Sequence, residues 1–231
     1  MSHTLDPISP LQQDPAFTLD FRLRQPVPAA PKACLLLLHG VGGNETNLAE
    51  LAMAIDPEVL VVLPRGPLTF APGQFGWFRV AFTPNGPSIV VEEAEQSRQT
   101  LIRFIEQLQS AYDIAPQRTV IAGFSQGGIL SASVGLSAPE RVAGFGVLSG
   151  RILPELGPRL APREQLATLS AFIAHGQYDS KLPVAWAHKA DQWLTDLGVP
   201  HATRFYPVDH ALSPAMAADF LDWAQTLTSP R

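Results

Sequence analysis

One serine in this sequence stands where its hydroxyl could attack a carbonyl carbon. Ser125 lies within Arg118-Thr-Val-Ile-Ala-Gly-Phe-Ser-Gln-Gly-Gly128, flanked by Gly123 and Gly127, between an apolar run and a helix-like segment. G-x-S-x-G in that setting is the pattern of a sharp strand-to-helix turn that lifts a serine above a sheet, with glycines where the two elements nearly touch. The spacing alone is only suggestive: with glycine at about 7% of positions, any one serine is flanked this way about 0.5% of the time, which over a dozen or so serines makes coincidence a matter of roughly several per cent. The strand-turn-helix context gives the motif its weight.

A serine hydroxyl is a weak nucleophile until a base takes its proton and a carboxylate orients that base. After such a turn the acid and then the histidine follow the serine in the chain. Six histidines compete. His3 lies in a terminal stretch, His188 inside a helical segment and His201 at the start of a strand. His39 and His175 precede glycines at strand ends and read as structural hydrogen-bonders in the loops there. His210, in the loop after the last strand and before the last helix, is the candidate base. Asp179, in His-Gly-Gln-Tyr-Asp after an apolar strand, is the candidate acid; its other use would be to cap a turn ahead of Pro183. Asp209 is the rival acid, but its neighbour His210 is too close in sequence to be met with good geometry.

The developing negative oxygen of such a reaction needs backbone N–H groups aimed at it, commonly from the residue after the nucleophile and from a loop after an early strand. Gln126 supplies the first. Val41, within His39-Gly-Val-Gly-Gly43, is the candidate for the second, because the unencumbered backbone there can turn towards Ser125. A plain glycine turn is the alternative; a dinucleotide phosphate loop is not, since G-x-G-x-x-G is absent.

These residues have to be held at the ends of strands. Continuous apolar runs at Cys34–Leu38, Val59–Leu63, Thr119–Ala122, Val142–Leu148, Ala171–Ala174 and Thr203–Tyr206 have the character of strands covered on both faces. The alternation from Phe17 to Leu23 predicts a half-buried strand near a sheet edge. Helical spacing links Val90, Ala94, Ser97, Leu101, Ile105 and Leu108, and further helices are predicted at Glu45–Ile55, Gln126–Ser137, Pro183–Leu197 and Pro214–Thr226, the last with Ser213 as N-cap. Strands alternating with helices predict an α/β fold with a mostly parallel central sheet, helices on both faces and ligands at the carboxyl ends of the strands. The loop from Gly66 to Ser88 is long enough to be functional. Its Phe70, Phe75, Trp77 and Phe82 point to an apolar acyl site.

The 231 residues are expected to form one domain, with residues 1–15 a flexible tail. The chain is 46% hydrophobic and 16% charged, enough apolar residues for a core, and its net charge of −5 with scattered cations excludes nucleic acid as a partner. No run is long enough to span a bilayer and nothing resembles a secretory signal, so a cytoplasmic protein without integral membrane association is expected. Cys34, the single cysteine, begins a buried run and reads as core.

Leu-Leu-His-Gly-Val-Gly-Gly, Leu-Pro-Arg-Gly-Pro, Gly-Trp-Phe, Gly-Phe-Ser-Gln-Gly-Gly, the Leu-Ser-Gly after the next strand, His-Gly-Gln-Tyr-Asp and His210 together resemble the carboxylesterase/phospholipase family of α/β hydrolases, which includes the acyl-protein thioesterases. The resemblance runs from about Ala33 to Thr226. It implies the α/β-hydrolase fold and a serine carboxylesterase with the triad Ser125, Asp179 and His210 and oxyanion donors at Val41 and Gln126. It also implies that Trp77 and Phe78 border the acyl pocket; anchoring of the long loop is the alternative. Arg79, where the family often has aspartate, and Val208-Asp209, where it often has glycine, depart from the pattern and leave substrate preference open. The expected substrate is a small ester or thioester with apolar groups, handled without metal or cofactor by a monomer or homodimer. Acyl-protein thioesterase or lysophospholipase activity is the alternative; a hydrolase-fold binding protein that has lost catalysis is argued against by the retained nucleophile, acid and base.

Overall fold

The computed structural model describes residues 6–83 and 86–229, without the side chains of residues 82, 83 and 86. In chain order the elements are β1 (Phe21–Leu23), β2 (Ala33–Leu38), α1 (Ala49–Met53), β3 (Val59–Pro64), β4 (Leu68–Ala71), β5 (Gln74–Gly76), β6 (Val80–Thr83), β7 (Gly86–Ile89), α2 (Val91–Tyr112), β8 (Thr119–Phe124), α3 (Gln126–Ser137), β9 (Gly144–Leu148), α4 (Arg163–Leu166), β10 (Ser170–Gly176), α5 (Ala185–Leu197), β11 (His201–Tyr206) and α6 (Pro214–Thr228). Seven strands form one sheet in the order β1-β3-β2-β8-β9-β10-β11. β1 at the edge is antiparallel to β3, and the other neighbours are parallel.

The apolar runs become strands because both faces are covered. Side chains alternate across a strand, so β2 sends Cys34, Leu36 and Leu38 into one core and Ala33, Leu35 and Leu37 into the other. The first core is closed by Leu101, Phe104, Ile105 and Leu108 of α2, by α3 and by α5; the second by α1 and by Met216, Phe220 and Ala224 of α6. Cys34 is buried there, and loss of solvent raises its thiol pKa far out of the reactive range. Among the described residues no helix is long and apolar enough to cross a membrane.

α3, the helix after Ser125, is buried on every side. Its serines sit in that apolar setting by donating Oγ–H to the carbonyl one turn back, Ser131 to Gly127 (2.8 Å) and Ser133 to Ile129 (2.9 Å). Ser213 caps α6 as expected, accepting from the Met216 amide at 3.2 Å.

Three expectations are corrected. The first strand covers only Phe21–Leu23, because Phe17 turns to pack edge-on against Phe21 and Phe104 while the Thr18 amide donates to Gln107. The helix expected over Glu45–Ile55 shrinks to Ala49–Met53, because Asn44 and Asn47 bond nearby amides in turns and Glu45 is drawn to arginines elsewhere. The stretch from Gly66 to Ser88 carries two antiparallel strand pairs, β4 with β5 and β6 with β7, rather than one open loop.

Glu45 ties the carboxyl ends of the first strands together. Its buried carboxylate accepts from Arg65 Nη2 at 2.6 Å, Arg65 Nε at 2.9 Å and Arg22 Nε at 2.9 Å. Burial raises its pKa, but the Arg65 fork and Arg22 outweigh that and hold it at about 2 against an ordinary 4.5. A carboxyl depressed in the folded state stabilises above its unfolded pKa and loses that contribution as pH falls through the folded one. Urea unfolding followed from pH 7 to pH 2 should therefore lose about 2–3 kcal/mol through this group between about pH 5 and pH 2. Glu45→Gln should cost about 2–4 kcal/mol at pH 7, since two arginines lose their partner, and should flatten that part of the acid dependence. Glu95, held at about 2 chiefly by Arg98, supplies a residual slope.

Candidate active site

Ser125 sits between β8 and α3 with φ 54° and ψ −114°, a left-handed conformation that costs a non-glycine residue about 1–3 kcal/mol. Its amide donates to Leu148 O at 2.8 Å and its carbonyl accepts from the Ile129 amide at 3.1 Å, so β9 and the first turn of α3 hold the strain in place. A Cβ on Gly127 would collide with the Leu38 carbonyl, which is why strand and helix can approach only with glycine there.

His210 lies between β11 and α6, its Nε2 3.0 Å from Ser125 Oγ and its Nδ1 2.7 Å from Asp179 Oδ2. With the proton on Nδ1 the ring donates to Asp179 and accepts from the serine hydroxyl. Phe124 packs against the imidazole, with ring centroids 4.9 Å apart. Asp179 combines its two sequence readings: Oδ1 accepts from the Lys181 and Leu182 amides at 2.9 and 2.7 Å and caps the turn, while Oδ2 faces His210.

His39 and His175 make structural hydrogen bonds, as their positions predict. His39 Nδ1 donates to Gly40 O at 2.7 Å and Nε2 accepts from the Gly66 amide at 3.0 Å. His175 Nε2 lies 2.7 Å from Leu182 O and 3.3 Å from Asp179 Oδ2. Burial lowers the pKa of both rings, against the carbonyl bonds that would raise it, so both stay neutral.

Asp209, set aside as the acid, has a different place. Its Oδ1 accepts from the Ser180 and His210 amides, each at 2.7 Å, and its Oδ2 from the Ser180 hydroxyl at 3.2 Å. Those bonds, the Ser180 amide first, hold its carboxyl below the ordinary range. It joins the loop carrying Asp179 to the loop carrying His210, a link across 29 residues that no local pattern reveals.

Val41 and Gln126 line the same cleft as Ser125. Among the described residues neither amide donates to a protein acceptor. The loop carrying Val41 is fixed by pairing with β5, Gly42 N–H to Phe75 O at 2.8 Å and Phe75 N–H to Gly43 O at 2.7 Å, and Gly42 takes a φ of 74° that suits glycine. The Gln126 side chain, which sequence reasoning left without a role, accepts from Trp77 N–H at 2.7 Å and donates to Phe78 O at 2.6 Å.

The aromatic set expected to form the acyl site is corrected. Trp77 is 1% exposed and buried beneath the site, its indole N–H donating to His39 O at 3.0 Å; it anchors the segment instead of lining the cleft. Phe70 is 41% exposed and Phe75 packs under the Arg65 guanidinium, while the Phe82 side chain lies outside the described residues. Of those proposed, Phe78 lines the cleft, joined by Val80, Pro87, Ile89, Ile129 and Leu182. A second depression, with His39, Leu48, Phe124, His210 and Leu212, meets the first at Val41. A more voluminous concavity lies at the amino ends of β8 to β10, beside Arg118 and Glu140, and contains none of these residues.

The sequence matches the model of the phospholipase/carboxylesterase family over residues 26–228. The chain belongs to that family. The hydrolase is 27% identical over 228 aligned positions to acyl-protein thioesterase 1 of Emericella nidulans, covering 85% of this chain and 92% of that one. It is 30% identical over 206 positions to acyl-protein thioesterase 1 of Eremothecium gossypii, covering 82% and 86%. A carboxylesterase from Mesorhizobium loti has a crystal structure that superposes with a TM-score of 0.79 at 24% identity, over 96% of this chain and 99% of that one. That likeness shows the α/β-hydrolase fold. The hydrolase is thus a serine hydrolase of the carboxylesterase and acyl-protein thioesterase type.

Asp209→Ala would free the loop of His210 without touching its ring or Ser125. If His210 takes part in the reaction, the substitution should lower kcat by about tenfold to a hundredfold, the scale of a displacement of about 1 Å, and Asp209→Asn, which keeps an acceptor for the two amides, should recover most of the loss in steady-state assays.

Proposed function

We propose that the protein hydrolyses short-chain carboxylic esters through an acyl-enzyme on Ser125, with His210 as general base and Asp179 as the acid that orients it. The observation that carries this reading is the continuous array Asp179–His210–Ser125, 2.7 and 3.0 Å between atoms, ending on a strained serine beside two unengaged amides. Ser125 Oγ attacks the ester carbonyl as its proton passes to His210 Nε2. The carbonyl oxygen gains the charge and is met by the Val41 and Gln126 amides. Collapse breaks the bond to the leaving oxygen, which takes the proton from His210, and water then repeats the sequence with His210 as base to release the acid and free Ser125.

Because His210 must protonate the leaving oxygen, the alcohol belongs in the depression that His210 lines, and the acyl group in the cleft of Phe78, Ile129 and Leu182. That cleft is apolar but narrow, which supports short acyl groups over the long chains of a lysophospholipase. Relatives named as acyl-protein thioesterases make the thioester the second reading, to be compared with the ester at matched acyl length.

Labelling with a fluorophosphonate, with the adduct located by mass spectrometry, tests the assignment. The wild type should label on Ser125; Ser125→Ala should lose the label and about a thousandfold or more in kcat, and His210→Ala should fall comparably. A label on another residue, or one that survives in Ser125→Ala, refutes it.

A further inference from the structure

Arg151 is buried beside the candidate nucleophile and, among the described residues, has no anion in salt-bridge contact. It follows Ser149-Gly150 at the end of β9, and Gly150 packs so closely on the nucleophile turn that a Cβ there would lie 3.0 Å from Ser125 O. Only 5% of Arg151 is exposed, and the residue lines the cleft together with Ser125, Gln126 and Phe78. Its guanidinium lies 4.6 Å from the centre of the Trp186 ring, at the start of α5, which fixes the plane of the group. Its Nε is buried and, among the described residues, without an acceptor. Loss of solvent lowers its pKa, and Glu155 opposes that only through space; an arginine nonetheless stays charged.

The one other buried guanidinium among the described residues, and two partly buried ones, are treated differently. Arg24 donates to the carbonyls of Ile55, Asp56, Pro57 and Val59. Arg65 forks onto Glu45, and Arg118 is taken up by the carbonyls of Leu227, Thr228 and Ser229. A buried cation held in plane, its Nε without an acceptor among the described residues, lacks a partner that a substrate in the cleft can bring.

We propose that Arg151 binds a carboxylate on the acyl half of the substrate, so that the preferred substrate is the half-ester of a short dicarboxylic acid. This rests on the reading of Ser125 as nucleophile. The side of the cleft follows from the chemistry: the leaving alcohol goes with His210, and Arg151 lines the other arm, where Phe78, Ile129 and Leu182 surround the few methylenes between the two carboxyl groups. A planar fork matches a carboxylate through two parallel N–H bonds. Lys181, which also lines the cleft, adds a second positive charge. No atom is transferred by Arg151; it positions the carbonyl by holding the far end of the acyl chain.

The test compares monoethyl glutarate with ethyl pentanoate, equal in acyl length and different in charge, by proton release at constant pH. The wild type should favour the half-ester in kcat/KM by about tenfold or more, the scale of a charge-assisted hydrogen bond. In Arg151→Gln that ratio should fall to about one or below, and Arg151→Lys, which keeps the charge but not the fork, should lie between. Preference for ethyl pentanoate in the wild type, or an unchanged ratio in Arg151→Gln, overturns the proposal. Should the variants fail to fold, inhibition of the wild type decides: glutarate should inhibit ethyl pentanoate hydrolysis competitively at about tenfold lower concentration than pentanoate, and equal inhibition overturns it. A wild type that labels with fluorophosphonate on Ser125 but ignores the extra carboxylate defeats Arg151 alone; one that neither labels there nor hydrolyses either ester defeats the nucleophile beneath it.

Discussion

The arrangement depends on a crowding problem at one point. β8 must pass directly into α3 while β2 lies alongside, and the Leu38 carbonyl comes so near to the helix that any side chain on Gly127 would collide with it. Removing side chains at that crossing lets the chain reverse within a residue or two, and the residue at the bend is forced to a left-handed φ with its hydroxyl held clear of the sheet. Such a conformation persists only when its surroundings over-determine it. Here they do so through buried α3 on one side and β9, by way of Leu148, on the other.

Around that point the other parts are fastened by long-range bonds between loops. Gln126 clamps the Trp77-Phe78 segment, β5 pairs with the loop of Val41, Glu45 gathers Arg22 and Arg65, and Asp209 bridges the last two strand-end loops. Each of these is a polar group at the carboxyl edge of a parallel sheet, where strand ends leave amides and carbonyls that only neighbouring loops can satisfy. Precision at the site is therefore borrowed from loop-to-loop pairing, while the apolar core supplies the platform.

This division also explains what could be seen in the chain before its structure. The strands of the central sheet were legible because burial on both faces leaves unbroken apolar runs, and the main helices because a face against the sheet repeats every three to four residues. That Ser125, Asp179 and His210 come together was legible because each falls just after a strand, in the chain order such turns use. Arg151 was not, because nothing in Leu-Ser-Gly-Arg distinguishes a solvated arginine from one buried over Trp186, 35 residues further on. Asp209 was weighed for the wrong bond: its contacts run to backbone amides on another loop. Sequence does not separate Phe70, Phe75 and Trp77 from Phe78, because only the folded segment shows that Phe70 is exposed, Phe75 lies against Arg65, Trp77 is buried and Phe78 lines the cleft.

The Gln126 clamp has an implication for how such an enzyme changes over generations. A single residue lines the cleft beside Ser125 and holds the base of the hairpins with its side chain. Beyond that attachment the β6–β7 pair contributes Val80, Pro87 and Ile89 to the cleft. That piece is thus modular in the engineer's sense: Val80, Pro87 and Ile89 can be exchanged to reshape what fits, while the mounting at Trp77 and Phe78 stays the same.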